Sequence, residues 1–336
     1  MTVRSFSFPR STVVVVITAL VILTPLSLIF WQSFLNAPFF NPAKHLGFDA
    51  YRFIFDDPDF WNAFLNSVVI AAGMVTIALP LGAALAFLLT RTDLPGQRII
   101  EVLVLVPVFI SPMVLAFGYV VAMGPVGFYS LWAKAIVGEV PWNVYSLTSI
   151  AVIAGLTHVP HVYLYSSAAL KSLGSDVEEA ARVVGANPLR VALNVSLPMT
   201  APALFYAAVL VFFLGFELFG LPLVLGDPEG HLVLSTYLYK LTNKLGTPSY
   251  HLMAAVAVCI VAVTFPLVLL QRWLLKTSGK YVSVKGKATR QKLLPLGGWK
   301  WIALAIVALW LLFTIVVPIS ASRCALSSSN GARASR

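Results

Sequence analysis

The sequence has 336 residues, of which 59% are apolar, 12% aromatic and only 11% charged, and its mean hydropathy is +0.88. A soluble domain has about 25% charged residues, so this chain has too little polar surface to face water. The apolar residues fall in runs near the ~20 residues that a helix needs to cross a bilayer. A soluble enzyme, a DNA-binding domain and a disordered chain are excluded. The net charge of +10 does not indicate a nucleic-acid partner, because the basic residues lie between the apolar runs.

Seven apolar runs predict seven membrane spans. They lack the alternating pattern of a membrane barrel, and an open sheet cannot cross lipid, so we expect helices. The first run is longer than the apolar part of a signal peptide and lacks a cleavage site, so it is interpreted as a retained span. The fold class is therefore an all-α, polytopic helical membrane protein, with spans at about residues 12–34, 64–90, 100–123, 147–170, 200–225, 252–271 and 301–320.

The distribution of Lys and Arg predicts the orientation of these spans. With the N-terminus inside, the inner segments up to residue 300 carry fifteen Lys and Arg, and the outer segments carry five. We therefore predict that residues 1–11 are cytoplasmic. Segment 272–300 is cationic and has no acidic residue, which suits anionic lipid headgroups and predicts a basic cytoplasmic linker against membrane lipid.

The predicted cytoplasmic loop between the fourth and fifth spans begins with signals for a short helix. Ser175 and Glu178 have the spacing of a capping box, and further acidic residues in the first turn suit a helix N-terminus. Gly185 is the residue type that commonly follows a helix end. The sequence therefore predicts a helix over about 176–184.

The same loop then restarts a helix. Asn187 and Pro188 are typical of the N-cap and first helical positions. Pro198 is predicted to end this second helix just before the fifth span. The sequence thus predicts two short helices joined by a glycine elbow on the cytoplasmic surface.

This loop resembles the EAA loop of binding-protein-dependent ABC importer permeases. That family's pattern is Glu-Ala-Ala, three residues, Gly, nine residues and Ile-x-Leu-Pro, and the sequence departs from it only by Val195 in place of Ile. The alternative is an ordinary amphipathic hairpin with a chance match. The resemblance implies that residues 175–198, called the EAA loop below, dock into a cleft on an ATPase through Glu179, Ala180, Ala181, Gly185, Leu197 and Pro198.

The resemblance also implies a type I ABC permease core over about residues 62–271, in the bacterial inner membrane. It implies two copies of an ATP-binding subunit, an extracytoplasmic substrate-binding protein, and either a second permease half or a homodimer. The chain has no G-x4-G-K-[ST] phosphate loop, G-x-S-x-G elbow or H-E-x-x-H pair. We therefore predict no catalytic residue, metal site or cofactor here, and ATP and Mg²⁺ on the partner ATPase.

Polar residues within the predicted spans are candidates for the substrate pathway, because polar groups are costly in lipid. Glu217 is the only acidic residue deep in a predicted span, and it falls in the outer part of the membrane. Its alternative role is that of an interfacial carboxylate near water or one bonded to a neighbouring helix. Pro107 and Pro112 predict a broken third span that lines a cavity.

His158 and His161 flank Pro160 in the fourth span and share a helix face. They are candidates for contact with a substrate or a transient metal ion. Hydrogen bonding between helices is the competing interpretation, and two histidines are too few for a stable metal site.

The layout further resembles the N-terminal half of fused ferric-iron-type permeases, through the early first span, the run 216–222 and the basic linker. Ferric iron is the first substrate expectation, with thiamine, polyamine and sulfate open. An ATP-independent channel or scaffold is the alternative class of function. The seventh span repeats the plan of the first, and tail 321–336 resembles out-of-frame translation, so we expect the chain to be the first part of a longer permease that is cut short. The alternative is a seven-span protein with a disordered outer tail.

Overall fold

The computed structural model describes residues 10–172, 176–243, 248–278 and 293–320. Ser175, most of the basic linker and tail 321–336, which carry predictions made above, lie outside these described residues. Within them the chain is helical, and seven helical stretches are long and apolar enough to cross a membrane. The predicted all-α, polytopic fold is therefore confirmed.

Thirteen α-helices follow one another along the described part of the chain. They are α1 (Arg10–Ser33), α2 (Asp49–Asp56), α3 (Pro58–Arg91), α4 (Gln97–Phe109), α5 (Pro112–Met123), α6 (Phe128–Val137), α7 (Leu147–Ser172), α8 (Asp176–Val183), α9 (Pro188–Val191), α10 (Leu197–Glu217), α11 (Leu234–Asn243), α12 (Tyr250–Ser278) and α13 (Trp299–Leu311). Wider π-helical turns occupy Ala192–Ser196, Pro222–Gly226 and Leu312–Val316.

The chain divides into two compact units, of which the first comprises Met1–Trp61 and Tyr237–Val263. Polar contacts join its helix ends. The Tyr51 hydroxyl donates to Ser33 Oγ at 2.8 Å, and the Tyr237 hydroxyl donates to Asp57 Oδ2 at 2.6 Å. These bonds hold α2 to the end of α1, and α11 to the start of α3.

The second unit comprises Asn62–Thr236 and Thr264–Arg336, and it contains an extensive apolar core. Two glycines set the distance between α3 and α7. A Cβ added to Gly82 would lie 2.5 Å from Val162 Cβ, and one added to Gly155 would lie 2.8 Å from Ile77 Cβ. Because small residues let membrane helices approach closely, these positions explain how α7 buries so much of its surface.

The seventh span packs against the rest of this unit through two bonds to backbone oxygens. The Tyr119 hydroxyl of α5 donates to Phe313 O at 2.7 Å, and Trp310 Nε1 of α13 donates to Leu156 O in α7 at 3.2 Å. Both aromatic side chains are buried. The residues after the basic linker are therefore part of the second unit's core.

The predicted third span at 100–123 is divided between two helices, α4 and α5. The chain breaks at Ile110 and Ser111, between α4 and α5, and the candidate span occupies Pro112–Val137. Pro112 has no N–H to bond to the preceding turn, so it takes the first position of a new helix. The predicted interruption is confirmed there, whereas Pro107 lies inside α4.

The helix at the predicted fifth span, 200–225, ends earlier than expected, at Glu217, and the stretch that is long and apolar enough to cross a membrane is Leu189–Glu217. Pro198 does not end the helix that starts at Pro188. The Leu197 N–H bonds to Ala192 O, five residues back, in a π-helical turn. This wider turn interrupts the regular bonding just where the proline would break it, so helical backbone continues into α10.

Candidate functional site

The EAA loop forms two helices with an elbow at Gly185, as predicted. The φ of Gly185 is +93°, a value that residues with a side chain rarely adopt. The N–H of Gly185 bonds to Arg182 O at 2.9 Å, and the N–H of Ala186 bonds to Ala181 O at 3.0 Å. These two bonds are the Schellman pattern that closes a helix end. The elbow is therefore specified by local backbone bonding.

The second helix of the loop is capped as its sequence predicts. The N–H of Arg190 donates to Asn187 Oδ1 at 2.8 Å, which is the bond of an N-cap residue to the third helical position. Pro188 is the first residue of α9. The chain direction after the elbow therefore also follows from local signals.

The predicted ATPase-contacting residues are distributed along this one segment. Glu179, Ala180 and Ala181 lie in α8, and Leu197 and Pro198 lie in the first turn of α10 with exposed side chains. Apolar side chains are also exposed around the elbow, with Val183 89% exposed and Val184 88%. Exposed apolar patches commonly mark contacts with a partner protein.

A buried ion pair holds the EAA loop to the end of α3. Arg91 Nε lies 3.2 Å from Glu178 Oε1, and the two residues are only 2% and 5% exposed. Ser196 Oγ donates to the same Oε1 at 2.7 Å, and Arg91 Nη2 donates to Leu170 O at 2.8 Å. Sequence reasoning missed both charged residues, since it assigned Glu178 to a capping box and counted Arg91 only toward orientation.

The turn that starts at Arg91 also contacts the segment before the seventh span. The N–H of Leu294 donates to Arg91 O at 2.7 Å, and the Asp93 N–H donates to Leu294 O at 3.2 Å. Asp93 Oδ1 accepts a bond from the Leu296 N–H at 2.8 Å. The turn at 91–93 therefore joins two segments that are distant in sequence.

An apolar cavity of about 620 Å³ opens beside the EAA loop in the second unit. Its walls come from α3, α7, α13 and the segment from α9 into α10. Residues that line it include Phe87, Leu170, Asn187, Leu193, Trp299 and Ile306.

The candidate pathway residues lie away from the EAA loop. The sequence predicts that Glu217 lies deep within a span. In the structure it is instead the last residue of α10, with an exposed side chain. The helix ends there because the next residue, Leu218, is extended. A Cβ added to Gly220 would lie 2.9 Å from Met113 N, so this interruption packs directly against the start of α5. Two helix interruptions thus meet beside Glu217.

His158 and His161 share a face of α7, as predicted, with ring centroids 5.2 Å apart and planes 20° from parallel. His158 Nδ1 lies 2.7 Å from Ala154 O of the same helix. Among the described residues, no group of three or more His, Cys, Asp or Glu is placed to hold a metal ion. Substrate contact by this pair stays a prediction.

Comparison with known proteins places these features in a family context. A family model described as "binding-protein-dependent transport system inner membrane component" matches residues 78–278. The chain is 26% identical over 235 residues to the molybdenum transport system permease protein ModB of Escherichia coli, covering 67% of this chain and 97% of that protein. It is 24% identical over 254 residues to the ferric transport system permease protein FbpB of Actinobacillus pleuropneumoniae, covering 75% of this chain and 36% of that protein.

A solved structure shares the fold. It is the crystal structure of a bacterial ABC transporter involved in the import of the acidic polysaccharide alginate. One of its chains aligns with a TM-score of 0.65 at 21% identity, over 80% of this chain and 94% of that one.

Proposed function

Since this chain belongs to the family of binding-protein-dependent transport system inner membrane components, we propose that it moves ferric iron through an ABC importer whose ATPase is a separate subunit. As a permease it is a transport subunit and supplies the membrane pathway. The N-terminus lies in the cytoplasm, two ATPase subunits bind ATP and Mg²⁺ beneath the permease, and a binding protein delivers substrate from outside. A second permease half, or a second copy of this chain, completes the pathway.

The geometry of the EAA loop is the observation that carries this proposal. A left-handed Gly185 and an Asn187 cap fix the angle between α8 and α9, and exposed apolar side chains surround the elbow. Such a rigid two-helix projection suits a docking element that transmits motion. An ATP-independent channel or scaffold, the alternative class of function, does not require such a two-helix projection. Glu179, Ala180 and Ala181 form the contact with the ATPase in this proposal.

The meeting of two helix interruptions supports a pathway near Glu217. Irregular backbone at membrane depth is tolerated only where it is buried in protein or lines a water-filled cavity. In several transporter folds, interrupted helices form the substrate site. Here the breaks before Pro112 and after Glu217 are in contact through Gly220 and Met113.

The carboxylate of Glu217 favours a cation as the substrate that meets this region. Hard cations such as iron(III) take oxygen ligands, whereas a fixed carboxylate repels an oxyanion. The similarity to a ferric transport permease agrees with this choice. Molybdate is the second candidate, because the molybdenum permease is matched over 97% of its own length.

Reconstitution in proteoliposomes tests the proposal. The permease is combined with its ATPase and binding protein, and ATP hydrolysis and uptake are measured with iron(III), molybdate, sulfate, thiamine and a polyamine. We expect iron(III) to stimulate ATP hydrolysis and to be taken up, and we expect this uptake to be abolished when ATP is omitted. If molybdate is the only compound that stimulates ATP hydrolysis and is taken up, the substrate is the oxyanion and not iron(III). Substrate flux without an ATPase would contradict the importer itself.

A further inference from the structure

We propose that Arg91 is a positioning residue that locks the EAA loop to the membrane helices, so that closure of the ATPase moves both as one body. The inference rests on the function proposed above. Its basis is the Arg91–Glu178 ion pair, in which both residues are more than nine-tenths buried. Arg91 ends α3 and Glu178 lies in the first turn of α8, so the pair joins a membrane span to the docking helix.

The carboxylate of Glu178 binds a second structural element. Ser196 Oγ donates to the oxygen that faces Arg91, and Ser196 is the last residue of the π-helical turn leading into α10. One carboxylate thus connects α8, the end of α3 and the start of α10. Glu178 and Glu179 are neighbours in a helix, so their side chains project about 100° apart. The loop is therefore anchored through one face and can meet the ATPase through another.

Burial makes this anchor stiff. Separating a buried ion pair leaves an uncompensated charge, which is strongly unfavourable. The bond from Arg91 Nη2 to Leu170 O ties the same guanidinium to the end of α7. Small movements of the loop therefore carry the inner ends of α3 and α7 with them.

The turn at 91–93 extends the connection to the seventh span. Backbone bonds between Arg91 and Leu294, and the bond from Leu296 to Asp93, fix the segment before α13. That span in turn contacts α5 through Tyr119 and α7 through Trp310. Arg91 therefore lies where the docking loop, α3 and the seventh span converge.

A double substitution separates positioning from folding. Apolar residues of similar volume can replace a buried ion pair with little loss of stability, but they lack its directional bonds. Arg91→Met/Glu178→Met is therefore the main variant, and Glu178→Gln is the single comparison. The matched control is Lys171→Gln/Glu101→Gln, because that ion pair, at 3.4 Å, joins α7 and α4 with partly exposed side chains.

Each variant is studied in the assembled permease with its ATPase and binding protein. Hydrogen exchange of residues 176–186 reports on the loop, and uptake per ATP hydrolysed reports on coupling, with iron(III) and molybdate as probes. In the Arg91→Met/Glu178→Met variant we expect the hydrogen-exchange rate of residues 176–186 to rise roughly tenfold. Uptake per ATP hydrolysed should fall roughly tenfold, while the ATPase still copurifies with the permease. The control is expected to keep wild-type values.

The outcomes separate this inference from the proposed function. Unchanged exchange in the Met/Met variant would show that Arg91 does not hold the loop. Faster exchange with wild-type uptake per ATP would overturn its part in coupling. If the wild-type complex itself shows no ATP-driven uptake of any probe, the importer proposal fails, and the coupling role of Arg91 fails with it.

Discussion

Gly220 packs so closely on Met113 that a Cβ added to the glycine would lie 2.9 Å from the methionine backbone nitrogen. Met113 follows the break between α4 and α5, and Gly220 follows the break after Glu217. The contact therefore fixes two interrupted helices against each other at the proposed pathway.

We predict that Gly220→Ala lowers uptake strongly and destabilises the second unit by about 1–3 kcal/mol, because the new methyl group must push the start of α5 aside. Thermal unfolding in detergent and uptake in proteoliposomes measure the two effects. Gly298→Ala is the control, since a Cβ there meets nothing within 4 Å. Wild-type uptake by Gly220→Ala would show that the contact is not part of the pathway.

The elbow of the EAA loop gives a second prediction. Gly185→Val places a β-branched residue at a φ of +93°, which is unfavourable by roughly 1–2 kcal/mol or more and redirects α9. We expect membrane insertion to be retained and ATP-driven uptake to be lost. Immunoblots of membranes and uptake assays measure these results.

Gly138→Val is a matched control for this substitution. Gly138 has a φ of +89°, a Cβ added to it would also meet nothing within 4 Å, and it follows α6 far from the EAA loop in sequence. Gly138→Val introduces the same backbone strain without altering the EAA loop. If both variants lose uptake equally, strain alone explains the Gly185→Val result, and the coupling role of the elbow is contradicted.

The exposed carboxylate at the end of α10 gives a third prediction. If Glu217 binds a cationic substrate, Glu217→Gln removes a charged contact worth about 1.5–3 kcal/mol, so uptake of iron(III) should fall roughly tenfold or more. The ATPase should still copurify. Glu139→Gln is the control, because it removes an exposed carboxylate from the turn after α6. Unchanged kinetics in Glu217→Gln would return this residue to a structural role.

The EAA loop was predictable because its signals are local. Gly185 and the Asn187–Pro188 pair each specify backbone conformation within a few residues, and the structure has both features where expected. The number of spans was predictable for a similar reason, since a bilayer requires a fixed length of apolar helix.

The span bounds and the buried ion pair were not predictable in this way. A search for apolar runs does not detect a break with apolar residues on both sides, such as Ile110–Ser111 or Leu218–Phe219. Nor does it reveal that Glu178 pairs with Arg91, because that contact exists only after the helices pack. Local patterns therefore located the EAA loop but not its attachment to α3.

The first unit contains a tyrosine whose environment makes stability depend on pH. Burial, followed by the hydrogen bond to Asp57 and the nearby charges of Asp57 and Asp59, raises the pKa of Tyr237 above its ordinary value of about 10. The stability that this group contributes is complete below the pKa of the unfolded state. It declines as pH rises from about 10 toward the folded pKa, because the unfolded chain loses its proton first.

We therefore predict that Tyr237→Phe lowers stability by about 1.5–3 kcal/mol at pH 8, through loss of the 2.6 Å bond to the Asp57 carboxylate. Between pH 8 and about pH 11 the thermal unfolding midpoint of the wild-type protein should fall more than that of the variant, since phenylalanine has no proton to lose. Unfolding in detergent at both pH values measures the difference. Tyr250→Phe, which alters a more exposed tyrosine of the same unit, should follow the wild-type slope. Parallel slopes for wild type and Tyr237→Phe would show that another group controls the alkaline transition.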